Sequence, residues 1–170
     1  FIRFLNVWTI QGLWVTFTVA AALVAITTTY RKELDLVAII GFLVWVFGFA
    51  FEVAADSQKS RFSANPANKG KFIQTGLWSR SRHPNYFFEW LIWVAFALLA
   101  TASPWGWTAW ACPLVMLFFL LRVTGIPATE AQSVASRGDE YRRYQREVSA
   151  FFPWPPRRLT WARPWQVALR

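Results

Sequence analysis

Between Phe4 and Tyr30 the chain carries no charged side chain. Wound as a helix, that run of 27 residues rises roughly 40 Å, more than the ~30 Å hydrocarbon core of a bilayer. A soluble helix of this length keeps one charged face towards water, and this stretch has none. Three further runs have the same character. Leu36 to Phe51 is free of charge, and a third run is interrupted only by Glu89 before the turn "TASPWGW". The fourth, "TAWACPLVMLFFLLRV", holds Pro113, a kink that membrane helices accept where neighbours satisfy the freed carbonyl. Four transmembrane helices are therefore expected at about 4–29, 36–55, 84–101 and 106–125, giving an all-α, polytopic membrane helix bundle.

Composition agrees. Apolar residues make up 55% of the 170, charged residues only 16%, and mean hydropathy is +0.28, a balance unlike that of a soluble domain this small. The twelve tryptophans crowd the segment ends, as at Trp78, Trp90, Trp105, Trp107 and Trp110, where an aromatic belt meets the headgroups. The lone cysteine, Cys112, allows no disulfide within the chain, and no His/Cys/Asp/Glu spacing suggests zinc. Walker loops, nucleophile elbows and GxGxxG fingerprints are absent from the sequence.

Cations set the expected topology. The loop 57–82 holds Lys59, Arg61, Lys69, Lys71, Arg80 and Arg82 with no acid, and the tail 127–170 holds eight arginines against four acids. "YRKELD" is balanced and "TASPWGW" uncharged. The positive-inside rule puts the 57–82 loop and the C-terminus in the cytoplasm. The formal charge of +9 is then explained by topology and anionic headgroups, with no nucleic-acid partner required. In the tail, a short helix at about 128–136, a break at Gly138 and an amphipathic helix at about 139–149 are expected. Tyr141, Tyr144 and Val148 take one face of the latter, and Arg142, Arg143, Arg146 and Glu147 the other. "PWPP" ends it. The opening "FIRFLNV" has neither an initiator methionine nor the order of a signal peptide, so further N-terminal helices are expected upstream.

Polar residues at membrane depth collect at one side. Glu52 and Asp56 lie four apart at the end of the second segment, hence on one face. Glu89 lies one turn past Asn85 in the third, and Arg122 and Glu130 bracket the exit of the fourth. Each alone has a structural explanation in snorkelling, capping or pairing. Five together, where three helix ends converge, mark a ligand site, because ionisable groups within a membrane are by default functional candidates. His83, the only histidine, precedes a proline at a helix start and reads equally as a general acid or as a hydrogen-bonding support.

"TGLWSRSRHPNYFFEW", "LLRVTGIPATEA" and "YRRYQREVSAFFPWPPR" together resemble the C-terminal region of an uncharacterised bacterial membrane family allied to the steroid 5-alpha reductases. More distantly the chain is similar to the sterol reductases and the isoprenylcysteine carboxyl methyltransferases, over essentially all of residues 1–158. The resemblance implies a bacterial inner-membrane protein whose cytoplasmic half binds NADPH and reduces a C=C bond of a lipid, steroid or fatty-acyl substrate. It places Asp56, Asn85 and Glu89 on the cofactor's polar groups, with Glu52 on the same face. Arg61, Arg82 and Arg122 would take its phosphates, and Tyr141 and Tyr144 would close the pocket. His83, Tyr86 and Glu130 complete the expected cofactor-binding set. The methyltransferase branch implies S-adenosylmethionine in the same pocket, acting on a prenyl or other lipid substrate. A third reading is a non-catalytic subunit of a larger membrane complex. Where the family carries glycine before the motif's glutamate, this chain has Phe88. The substrate-polarising Tyr and Glu of the steroid reductases sit on helices upstream of Phe1, so no catalytic acid is assigned.

Overall fold

The computed structural model describes residues 35–101 and 103–157. The expected helix at 4–29 lies outside them. Among the described residues five α-helices follow in order: α1 Leu36–Ala64, α2 Pro84–Ala100, α3 Ala111–Arg122, α4 Ile126–Arg137 and α5 Asp139–Glu147. There is no strand among them, only one isolated parallel bridge between Ser81 and Ser149. The chain is a membrane helix bundle, and α1 and the helical run from Gly106 are both long and apolar enough to cross a bilayer. The apolar part of that second run ends at Val123. The shorter apolar helix α2 has 17 residues and rises roughly 25 Å.

Contacts divide the described residues into two units. The first holds 35–50, 88–101 and 103–119. Its helices approach closely because α1 presents Gly41 and Gly48, seven apart, to α2. A Cβ at Gly48 would stand 3.1 Å from Ile92 and 3.3 Å from the Phe88 carbonyl, and one at Gly41 3.1 Å from Leu99. Phe88 is buried and meets Phe47 edge-on at 5.9 Å. Phe88, at the position where the family carries glycine, thus fills this side of α2 with a ring. The Trp90 indole donates to the Pro113 carbonyl at 2.9 Å, tying α2 to the start of α3. Pro113 sits in the first turn of α3, where its missing N–H costs the helix nothing. The rest of α1 in this unit, from Leu36 to Phe49, exposes Ile39, Ile40, Phe42, Leu43, Val46 and Phe47, the surface a lipid environment requires.

The second unit holds 51–87 and 120–157. Here α1 differs from its expected end at 55. Its 29 residues rise roughly 43 Å, and helix continues through Ala64 into the segment read as loop 57–82. Hydropathy ends near Phe51, but "EVAADSQKSRFSA" has no glycine or proline, so helix propensity carries on until Asn65 and Pro66 stop it. The fourth apolar segment also differs. It opens as a short 3-10 turn, Gly106–Trp110, becomes α-helical only at Ala111 and ends at Arg122, short of 125. The tail follows the expected pattern closely, as α4, a break at Gly138 with φ 58°, and α5. Tyr141, Tyr144 and Val148 are buried with Phe72 in one cluster against which half-buried Val134 packs, while Arg142, Arg143 and Arg146 face outward.

Candidate functional site

Two polar arrangements occupy the second unit. The first is a clamp centred on Glu130 of α4. Arg82 Nε donates to Glu130 Oε1 at 2.5 Å and its Nη2 to Oε2 at 3.1 Å. His83 Nε2 stands 3.3 Å from Oε1, and the Gln145 amide donates to Oε2 at 2.8 Å. Arg82 Nη1 is shared between the carbonyls of Gln145, at 2.8 Å, and Val148, at 2.5 Å. The Arg82 side chain is only 8% exposed. Desolvation alone would raise the Glu130 pKa, but hydrogen bonds from His83, Arg82 and Gln145 and the charge of Arg82 outweigh it and hold the group at about 2. Ionised, Glu130 can only accept, so the proton of the facing His83 nitrogen is on Nε2. The His83 ring is stacked on Tyr86, centroids 5.4 Å apart.

The clamp fastens the tail. Arg82 N–H donates to the Ser149 carbonyl at 2.8 Å, Ser81 Oγ to the Phe151 carbonyl at 2.8 Å, and Trp154 N–H to the Arg80 carbonyl at 3.0 Å. Tyr144, 2% exposed, donates its hydroxyl to the Trp78 carbonyl. Burial pushes the Tyr144 hydroxyl far above its usual range, with Tyr141 adding to the effect. Tyr141 is raised by burial and then by the charge of Glu130. Both phenols are therefore protonated donors at neutral pH. Trp78 in turn donates from its indole to the Ala55 carbonyl of α1 at 3.0 Å and is covered by the Lys59 ammonium, 5.2 Å from the ring. Leu77 N–H reaches the Gln58 side chain at 2.9 Å, a contact allowed by Gly76, whose φ is 61°.

The second arrangement is a concavity of about 350 Å³ lined by Asp56, Ser57, Ser60 and Arg61 on the extension of α1. It exists because α1 outruns its apolar stretch by more than three turns.

The twelve residues singled out from the sequence are thus sorted. Arg82, His83 and Glu130 are joined by hydrogen bonds, half-buried Tyr86 stacks on His83, and Tyr141 and Tyr144 are buried beside them. Asp56 and Arg61 meet at the concavity, and half-buried Glu52 lies one turn before Asp56 on α1. Half-buried Asn85 and Glu89 lie one turn apart near the start of α2. Arg122 is exposed at the end of α3 and is not among the partners of Glu130. Sequence reasoning missed Gln145, Gln58, Ser57, Ser60 and Ser81. Gln145 follows Tyr144 at the margin of the apolar face of α5, and no local signal separates it from any surface glutamine.

Residues 1–148 match the family described as "Protein of unknown function (DUF1295)". The chain belongs to the DUF1295 family. This DUF1295 chain is 29% identical over 126 residues to the Delta(14)-sterol reductase ERG24 of Saccharomyces cerevisiae, covering 68% of this chain and 28% of that protein. It is 31% identical over 132 residues to the uncharacterized protein C594.04c of Schizosaccharomyces pombe, covering 65% of this chain and 37% of that one. A shorter stretch of 46 residues is 41% identical to the probable O-methyltransferase ustE of Ustilaginoidea virens, covering 27% of this chain and 16% of that protein. The matched regions are therefore well under half the length of these relatives. No solved structure matches the chain.

Proposed function

We propose that this chain is the cofactor-side part of a membrane reductase that uses NADPH to reduce a C=C bond in a lipid, steroid or fatty-acyl substrate. The observation that carries the proposal is the relationship, over 68% of the chain, to a protein named as a sterol reductase. In this reading the 57–82 segment and the tail face the cytoplasm, and the substrate reaches the site from the bilayer. NADPH, when bound, supplies the hydride.

The donors at the concavity fit a phosphate-bearing cofactor. Ser57 and Ser60 offer hydroxyls and Arg61 an exposed guanidinium, suited to phosphate oxygens, while the Asp56 carboxylate suits a ribose hydroxyl. Arg82, expected to hold phosphate, instead spends its donors on Glu130 and two tail carbonyls. Its role in this reading is to hold the tail and the start of α2 in place. Asn85 and Glu89 would receive the cofactor's amide or hydroxyl groups.

The stretch shared with a probable O-methyltransferase supports a second reading, in which S-adenosylmethionine is the cofactor and a prenyl or other lipid substrate is methylated. S-adenosylmethionine has no phosphate, so Arg61 would then meet its carboxylate instead. The test is mass spectrometry of small molecules released from the purified full-length protein, followed by calorimetric titration with NADPH and with S-adenosylmethionine. Bound NADP(H), or micromolar binding of NADPH alone, is the expected result. S-adenosylmethionine alone would establish the methyltransferase. Binding of neither would leave the chain as a non-catalytic subunit of a larger membrane complex.

A further inference from the structure

The segment "SAFFPWPPR" divides its aromatic residues sharply. Phe151 is 3% exposed and packs edge-on against Phe87 at 5.5 Å, whereas Phe152 is 56% and Trp154 71% exposed. These outward rings are not on a loose strand. The backbone around them is fastened by the Ser81 hydroxyl on the Phe151 carbonyl, by Trp154 N–H on the Arg80 carbonyl and by Arg157 N–H on the Glu147 carbonyl at 3.0 Å. Pro153, Pro155 and Pro156 restrict the chain on both sides of Trp154. Two large aromatic side chains are thus held in fixed positions facing outward, an arrangement unfavourable in water unless something covers them.

The surroundings indicate what covers them. Phe152 leans on Phe87, ring centroids 5.6 Å apart, and Phe87 belongs to the first turns of α2, the apolar helix that starts at Pro84. The patch is therefore continuous with the end of an apolar membrane helix. Its charged members, Arg80 and Arg157, are both exposed, and neither 76–82 nor 149–157 contains an acid. An amphipathic indole beside a phenyl ring and two outward arginines is the chemistry of a headgroup layer carrying negative charge. A protein partner would need a matching acidic rim, and nothing about the patch selects one.

We propose that Phe152, Trp154, Arg80 and Arg157 form an interfacial anchor that seats the tail on the anionic surface of the bilayer at the base of α2. The anchor holds the same backbone that supplies the Gln145 and Val148 carbonyls to Arg82, so lipid composition would bear on how firmly the clamp stays closed.

The test uses full-length protein labelled with 5-fluorotryptophan and placed in nanodiscs of phosphatidylcholine alone or with 30% phosphatidylglycerol. The fluorine resonance missing from Trp154→Phe identifies Trp154. Broadening of that resonance by a lipid carrying a nitroxide near its headgroup, with little effect from a water-soluble gadolinium chelate, is the expected result. It should strengthen with phosphatidylglycerol. Arg80→Gln combined with Arg157→Gln should remove most of that gain, because each arginine at an anionic surface favours binding by about fivefold. Broadening by the chelate alone would place Trp154 in water and overturn the proposal. Broadening by neither reagent would mean that protein covers the ring, which also overturns it. A gain with phosphatidylglycerol that survives in the double variant would remove the arginines from the anchor.

Discussion

Glu130→Gln keeps the shape of the clamp and removes its negative charge. In the native protein the Glu130 carboxyl is held from its usual 4.5 to about 2, a difference of about 2.5 units. At about 1.4 kcal/mol per tenfold change this corresponds to about 3–4 kcal/mol. An independent route gives a similar size, since removing one partner of a buried ion pair costs about 3–5 kcal/mol. The amide also turns an N–H group towards Arg82, His83 or Gln145, all of which donate to this position. The variant should therefore open the tail from the start of α2 while the apolar helices stay inserted. Hydrogen exchange followed by mass spectrometry on peptides covering 139–157, with the protein in nanodiscs at pH 7, reads this opening directly. About 3–4 kcal/mol corresponds to exchange faster by roughly two to three orders of magnitude. The pH dependence has a definite sign. Because the folded-state pKa lies below the unfolded one, the stabilisation is complete above about 4.5 and fades as pH falls towards about 2. After correction for intrinsic exchange rates, native protection should decline across that window and that of Glu130→Gln should not. Equal exchange in the two proteins at pH 7 would show that the clamp does not hold the tail.

Gly76→Ala forces a Cβ to within 2.5 Å of the Gln58 side chain at a φ of 61°, and should lower thermal stability by about 1–2 kcal/mol, measured by unfolding in detergent. Tyr144→Phe leaves the buried Trp78 carbonyl without its phenolic donor and should cost about 1–3 kcal/mol in the same assay; no loss would mean that water replaces the hydroxyl. If NADPH binds as proposed, Glu89→Gln should weaken it by roughly tenfold to a hundredfold in calorimetric titration, and unchanged affinity would remove Glu89 from the site. A cysteine in place of Lys69 should react with membrane-impermeant maleimide only in opened cells, and labelling from outside intact cells would reverse the proposed orientation.

Hydrophobicity and local breakers are properties of the chain alone, so they were legible without a structure. The apolar runs, the helix start at Pro84, the break at Gly138 and the burial of Tyr141 and Tyr144 on one face of α5, with Val148 just past its end, all followed from periodicity, proline and glycine. Helix α1 runs past the expected apolar segment because hydropathy reports where lipid ends, whereas helix propensity decides where the helix ends. Those two boundaries coincide only when a breaker sits at the interface. Arg82 marks the other limit. In the sequence it is one of six cations in 57–82, and the family resemblance implies a phosphate ligand there as at Arg61. Only the fold returns α4 and the tail to it, bringing a carboxylate and two carbonyls from 48 to 66 positions away. An ionic side chain is selected by whatever stands opposite it, and that partner is set by long-range packing, which no local pattern encodes.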